Sequence, residues 1–222
     1  MLSLNSVELV AGSPITVADH QIAAWFHAHL TQPLVNVMLA FSDPGSPMWI
    51  ATITLVVALF CALRRRWYGL FALLLAVPGG MLLNSVIKEL VHRHRPYSES
   101  PFVDLSDYSF PSGHAMAATL LYGLLALFAL VVLRKRLWRG LAVLGASLVI
   151  MLVGLSRIAL GAHYLTDVLA AIASGAVWIW LCYIVVNIIR RRRSRSERQT
   201  TAGVQSSASE IAASDSGLRS AH

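Results

Sequence analysis

Charge is what this sequence has least of. Only 13% of its 222 residues are Asp, Glu, Lys or Arg, against about 25% in a typical soluble domain. An ordinary soluble globule is therefore excluded, because its surface must be covered by such groups. A disordered chain is excluded by the opposite count: 56% of the residues are hydrophobic, and disorder goes with few aliphatics. Cysteine is nearly missing as well. Cys61 and Cys182 lie far apart in apolar runs, so they read as small buried hydrophobes rather than a disulfide framework. Residues 1–16 lack basic residues and a compact apolar core before a small-residue site, so a cleavable signal peptide is not expected. No internal repeat is present.

Long apolar runs are abundant instead. Five stretches are nearly free of charge: Ser46 to Leu63, Trp67 to Ile87, Ala115 to Leu133, Leu137 to Leu155 and Leu165 to Ile189. A helix needs about 20 apolar residues to cross a bilayer core of about 30 Å. A soluble bundle with five such helices would have too little polar surface to stay solvated. The expected fold class is an all-α, polytopic helical membrane bundle of about five transmembrane helices plus an N-terminal interfacial helix, with six spans as the alternative. Residues 1–18 form a short N-terminal segment. Residues 19–42 are apolar but interrupted by His20, His27, His29, Gln32 and Asn36, which points to an amphipathic helix lying in the interface. Within it, Thr31 is placed to cap a helix starting near Pro33, with Leu34, Val37, Met38 and Phe41 on one face. Residues 43–189 are the membrane domain. Residues 190–222 have no helical stripe and read as a basic, disordered tail.

The basic residues set the orientation. Arg64 to Arg66, Arg134 to Arg136, Arg139, Arg190 to Arg193, Arg195, Arg198 and Arg219 make fourteen of the eighteen Lys and Arg residues, and all fall on one side of this topology. Such an excess marks the cytoplasmic side. The net charge of +7 thus has a topological explanation, and no nucleic-acid partner is needed. Lys88, Arg93, Arg95 and Arg157 fall on the other, outer side. Ionisable groups near membrane depth are costly and point to function, although snorkelling to headgroups is the plain alternative for any one of them. The loop around the first three also carries Glu89, Glu99, Asp104 and Asp107.

The same outer side collects Ser112, Gly113 and His114 before the third span, Arg157 at the end of the fourth, and His163 and Asp167 at the start of the fifth. Lys88, Arg95 and Arg157 supply positive charge, and the guanidinium fork matches phosphate oxygens. Ser112 and Gly113 stand where the free N–H groups of a helix start favour an anion. His163 and Asp167, spaced i, i+4, share a helical face, so the carboxylate can fix the imidazole tautomer and leave its other nitrogen to attack. His114 is suited to protonating a leaving oxygen and then activating water. A zinc site would have only His114, His163 and Asp167 as ligands, with three cations repelling the metal; His92 and His94 form a further His-x-His pair. An anion transporter would carry its charges near mid-span and break its helices there, whereas here they cluster at span ends. A catalytically silent membrane scaffold is disfavoured because each catalytic position is filled.

Lys88, six residues and Arg95-Pro96 resemble the first motif of the type 2 phosphatidic acid phosphatase superfamily, which is related to vanadium haloperoxidases. Pro111-Ser112-Gly113-His114 resembles its second motif. Ser156-Arg157, five residues, His163, three residues and Asp167 resemble its third. The resemblance implies that His163 is a nucleophile forming a phosphohistidine, that Asp167 orients it, and that His114 is the general acid. It implies that Lys88, Arg95, Ser112, Gly113 and Arg157 bind the phosphoryl group, with no metal and no cofactor. Arg93, outside the motif register, is expected to tolerate substitution better than Arg95. The implied substrate is a lipid phosphate or diphosphate, with undecaprenyl diphosphate first. Phosphatidic acid or phosphatidylglycerol phosphate comes next, and then lipid A phosphates. The expected setting is a bacterial inner membrane with the site facing the periplasm or exterior, the tail cytoplasmic and no obligate protein partner evident. Typical bacterial members have six spans, and only about 18 residues precede the amphipathic segment here.

Overall fold

The computed structural model of the chain describes residues 14–96 and 108–219, with side chains over 16–96 and 108–193. Glu99, Asp104 and Asp107, most of the N-terminal segment and the last three residues lie outside the described residues. The described chain is helical: α1 Pro14–His29, α2 Gln32–Ser42, a 3-10 turn Asp43–Gly45, α3 Pro47–Leu63, α4 Trp67–Val91, α5 Gly113–Val132, α6 Arg136–Ala159 and α7 Leu165–Arg219. No strand occurs among the described residues. Five helical stretches are long and apolar enough to cross a membrane: Gln32–Leu63, Trp67–Val91, Gly113–Val132, Arg136–Ala159 and Leu165–Arg193.

Local chemistry sets the helix ends. Ser46 is the N-cap of α3, its hydroxyl accepting from the Trp49 N–H, and Pro47 follows at the first turn, where a missing N–H costs nothing. The α4 helix ends on His92 in the left-handed conformation. Pro78 sits inside α4 and cannot donate to the carbonyl four residues back. The Trp178 indole donates to the carbonyl next to that one, at Leu75, over 3.2 Å. Gly80 then lets α5 come close, since a Cβ there would stand 2.5 Å from Leu120 Cδ1.

The core lies where α4, α5 and α7 meet. Leu73, Ala76 and Val77 of α4 pack with Met116, Leu120 and Leu121 of α5 and with Val168, Ala171 and Ile179 of α7. The first turns of α5 are enclosed on all sides, with Ala115 to Leu121 all buried. The outward faces are just as apolar: Leu55, Leu59, Leu82, Leu90, Leu144, Leu148, Met151 and Trp180 are exposed. Large hydrophobics outside as well as inside mark helices solvated by lipid, which satisfies no backbone polar group and so demands unbroken helix. This is a multi-pass membrane protein.

Three expectations change. The segment 19–42 is two helices, not one, because the chain breaks at Leu30–Thr31 ahead of Pro33. Thr31 is the N-cap residue of α2, but its side chain makes no capping bond. Of the expected stripe, Leu34, Met38 and Phe41 pack together with Val35, and Val37 alone is exposed. The tail does not lose its structure after Arg193, since α7 continues as helix to Arg219. A helix already nucleated in the span extends without a new nucleation cost, and the Arg, Glu, Gln and Ala residues that follow are good helix formers. Residues 183–222 form a unit separate from 1–182. Every side chain of the site below belongs to the first unit.

Candidate active site

The C-terminal ends of α4 and α6 and the N-terminal ends of α5 and α7 share one end of the bundle, and the sequence-derived residues gather there. Lys88 lies in the last turn of α4, Arg157 in the last turn of α6, and Asp167 in the first turn of α7. Ser112 is the N-cap of α5 and Gly113 its first residue. Lys88, Ser112, Arg157, His163 and Asp167 are all buried. His114 lies within electrostatic reach of Arg157, His163, Arg95 and Lys88. All eight residues thus converge on one place.

His163 is aimed by the turn that ends α6. Gly161 adopts φ 71°, the left-handed conformation glycine takes without steric cost. Ala162 N–H donates to Arg157 O over 3.1 Å, and Gly161 N–H to Ile158 O over 3.0 Å. This pair of bonds is the Schellman cap. It reverses the chain and sets His163 two residues past the glycine, facing the α5 start.

The tautomer of His163 follows from its partners. Nδ1 lies 2.7 Å from the Ser109 carbonyl oxygen, which can only accept, so Nδ1 carries the proton. The lone pair is then on Nε2, 3.3 Å from Arg95 Nη1. Asp167 had been expected to make the orienting hydrogen bond. Its Oδ2 is instead 3.7 Å from Nδ1, near enough to stabilise positive charge on the ring but not the primary acceptor. Asp167 Oδ2 accepts from Ser109 Oγ and from the Tyr164 N–H over 2.9 Å, so it holds the residue that holds the histidine. Burial pushes His163 down to about 4, helped by Arg95 and Arg157 and opposed by Asp167. That direction leaves its imidazole unprotonated at neutral pH.

The cations face the same spot. Arg95 Nη1 is also tied to Ala162 O at 3.0 Å, Lys88 Nζ to Tyr108 O at 3.1 Å, and Arg157 Nη1 to Ser42 Oγ at 3.0 Å. Among the described residues, four buried side-chain atoms have no hydrogen-bond partner in the protein: Thr54 Oγ1, away from the site on α3, and Asn84 Oδ1, Ser112 Oγ and Arg157 Nε. Buried polar atoms rarely stay unpaired, and two of these four belong to the expected phosphate cradle. Ser112 Oγ and Arg157 Nε are each donors of the kind that phosphoryl oxygens accept from. Among the described residues, no three His, Cys, Asp or Glu side chains are grouped so as to hold a metal ion.

Several participants escaped the sequence reading. Ser109 is fully buried and fixes the tautomer, but a lone Ser in a polar loop carries no signal. Ser42, on α2, props Arg157 from far off in sequence. Asn84 stands one turn before Lys88, its Nδ2 3.7 Å from where a Gly113 Cβ would be; the i, i+4 spacing to Lys88 was its one legible clue. Arg93 had been set outside the site, yet it bonds Asp167 Oδ1, Thr166 Oγ1 at 2.7 Å and Asp19 Oδ2 at 2.9 Å. Burial works against its charge, but Asp167 and Asp19 outweigh that and raise its pKa.

A buried histidine beside buried cations, at the rim of a membrane helix bundle, calls for comparison with membrane phosphatases. The family model for the PAP2 superfamily matches residues 67–191, and the chain belongs to that superfamily. It is 33% identical over 171 residues to phosphatidylglycerophosphatase B of Bacillus subtilis strain 168, covering 75% of this chain and 82% of that protein. It is 34% identical over 134 residues to a lipid A 1-phosphatase of Rhizobium johnstonii, covering 56% of this chain and 50% of that one. Its fold is similar to the crystal structure of a transmembrane PAP2-type phosphatidylglycerolphosphate phosphatase from Bacillus subtilis, with a TM-score of 0.73 and 29% identity over 84% of this chain and 92% of that one.

Proposed function

We propose that this protein hydrolyses a membrane lipid phosphate through a phosphohistidine at His163, without a metal ion. The observation that carries the reading is the Nε2 lone pair of His163, held against Arg95 by the Nδ1–Ser109 bond and next to the unpaired donors of Ser112 and Arg157. Nε2 attacks phosphorus as the bond to the lipid oxygen breaks. His114 takes up a proton as the negatively charged phosphate binds beside it and gives that proton to the leaving oxygen, and the lipid alcohol leaves. Neutral His114 then takes a proton from water, whose oxygen attacks phosphorus, the P–N bond breaks, and inorganic phosphate departs. Lys88, Arg95 and Arg157, with Ser112 and the N–H groups at the start of α5, hold the equatorial oxygens as charge builds. Asp167 steadies the cationic ring of the phosphohistidine.

The similarity to phosphatidylglycerophosphatase B, over four-fifths of that protein, favours phosphatidylglycerol phosphate as substrate. Undecaprenyl diphosphate, ranked first on the sequence alone, follows, with phosphatidic acid and lipid A phosphates behind it. The exposed basic loops Arg64–Arg66 and Arg134–Arg136 lie at the end of the bundle opposite the site. By the charge rule they are cytoplasmic, so the site faces the exterior or periplasm of a bacterial inner membrane.

The test is phosphate release by the purified protein in detergent with a chelator present. Phosphatidylglycerol phosphate, undecaprenyl diphosphate and phosphatidic acid are offered in parallel, and the His163→Ala variant serves as blank. Release from the first with none from the blank is expected. Full turnover in the blank rules out the covalent route, and loss of turnover on chelation rules out the metal-free one.

A further inference from the structure

One buried carboxylate joins the N-terminal helix to this site. Asp19, on α1, is 2% exposed, an uncommon position for an acid unless it is fully partnered. Its Oδ1 accepts the Thr166 N–H over 3.1 Å, and its Oδ2 accepts from Thr166 Oγ1 and from Arg93 Nη2 at 2.9 Å. The other arm of the same guanidinium, Nη1, reaches Asp167 Oδ1. Arg93 also lies over the Tyr164 ring, 4.3 Å from its centroid, and the His20 ring of α1 packs edge-on against Tyr164 at 5.1 Å. Arg93 therefore bridges two buried carboxylates, one on α1 and one on α7.

If Asp19 only anchored α1, its bonds to Thr166 would be enough. The bridge does more. Asp167 holds Ser109 through Oδ2 and is itself held through Oδ1, so its angle depends on where Arg93 stands. Arg93 is about a quarter exposed, and Asp19 takes up the arm that would otherwise turn toward solvent. We propose that Asp19 and Arg93 are positioning residues for the hydrolysis: the α1 carboxylate sets the Arg93 fork, the fork sets Asp167, and Asp167 sets Ser109 and hence the His163 tautomer. The N-terminal helix is on this account a working part of the site. The inference deepens the phosphohistidine reading and rests on it. It also assigns Arg93 a role that a Lys cannot fill, because an ammonium lacks the planar two-armed geometry.

The test is a double-mutant cycle on the full chain in detergent, with kcat, KM and thermal midpoint measured for Asp19→Asn, Arg93→Lys, Asp167→Asn and Asp19→Asn with Asp167→Asn. Asp19→Asn and Arg93→Lys should each lower kcat by about 10- to 100-fold, the scale of a small misplacement of reacting groups, with KM within about twofold. In the Asp167→Asn background, Asp19→Asn should cost less than about twofold, since the group it positions is gone. Wild-type kcat in Asp19→Asn, full rescue by Arg93→Lys, or an undiminished loss in the Asp167→Asn background would overturn the proposal. If Asp19→Asn fails to fold, Asp19→Glu takes its place, keeping the charge but displacing it. The thermal midpoints read the same linkage without substrate. Coupled midpoints in a protein that releases no phosphate would keep the bridge and reject the phosphatase reading, whereas additive midpoints would reject the bridge whatever the activity.

Discussion

The two ends of the helix bundle carry the same kind of residue in opposite circumstances. At one end Arg64, Arg65, Arg66, Arg134, Lys135 and Arg136 are exposed; Arg64 lies over the Phe60 ring at 5.6 Å, and no carboxylate is paired with any of them among the described residues. At the other end Lys88 and Arg157 are buried, and Arg93 is locked between Asp19 and Asp167. Exposed charges are screened and mobile, so they act through number and side. Enclosed charges act through geometry, because each unpaired arm carries a desolvation cost until something meets it. Counting charges thus reads the first end, and only placement reads the second.

Substitutions that keep charge and change shape test this contrast most sharply. Arg157→Lys preserves the positive charge but removes the fork whose Nε is left for substrate. It is expected to lower kcat/KM about 100-fold, while Arg65→Lys at the other end should change it by less than about twofold. Steady-state phosphate release from both variants makes the comparison, and equal effects would erase the distinction between the two ends.

A pH profile addresses the enclosed end alone. Because His163 sits near 4, its neutral, attacking form persists well below the usual histidine range of about 6.5. The protonation that abolishes its nucleophilicity should appear as a fall in kcat/KM through about pH 4. That parameter reports the free enzyme. A limb near pH 6.5 that coincides with the titration of the His163 ring followed by NMR would show that the imidazole is less desolvated than its surroundings imply.

The smallest effect concerns backbone. Gly161→Ala puts a side chain at a left-handed position, at a cost of about 1 kcal/mol. It should lower the thermal midpoint slightly, and it should lower kcat by more than that strain alone explains if the Schellman turn aims His163. An Ala at Gly140, on the other half of α6, where a Cβ meets nothing within 4 Å, serves as the control and should be neutral or better.

How much of this was legible varies residue by residue. The spans were, since hydropathy needs only composition over a window, and the five runs match the five crossing helices. The motif residues were, since each lies at a helix end where spacing and type carry meaning together. The break between α1 and α2 was not, because the apolar run continues through it, and the helix after Arg193 was not, because no packed face announces it. Arg93 misled for a physical reason. Beside Arg95 it looks like a neighbour left over from the motif, and its value comes from an aspartate 74 residues earlier and another 74 residues later.

The sequence by itself determined the membrane class, the number of clean spans, the side on which charge accumulates and the eight residues that gather at one end of the bundle. Periodicity, length and charge are local quantities and need no folded chain to be counted. Only the tertiary structure decided that Ser109 and not Asp167 takes the Nδ1 proton of His163, that Arg93 spans two buried acids, and that Asp19 of the first helix meets Thr166 across 147 residues. Those contacts exist because close packing of the helices removes water from a few polar groups. A desolvated group must find its partner wherever the fold has brought one, at whatever separation along the chain.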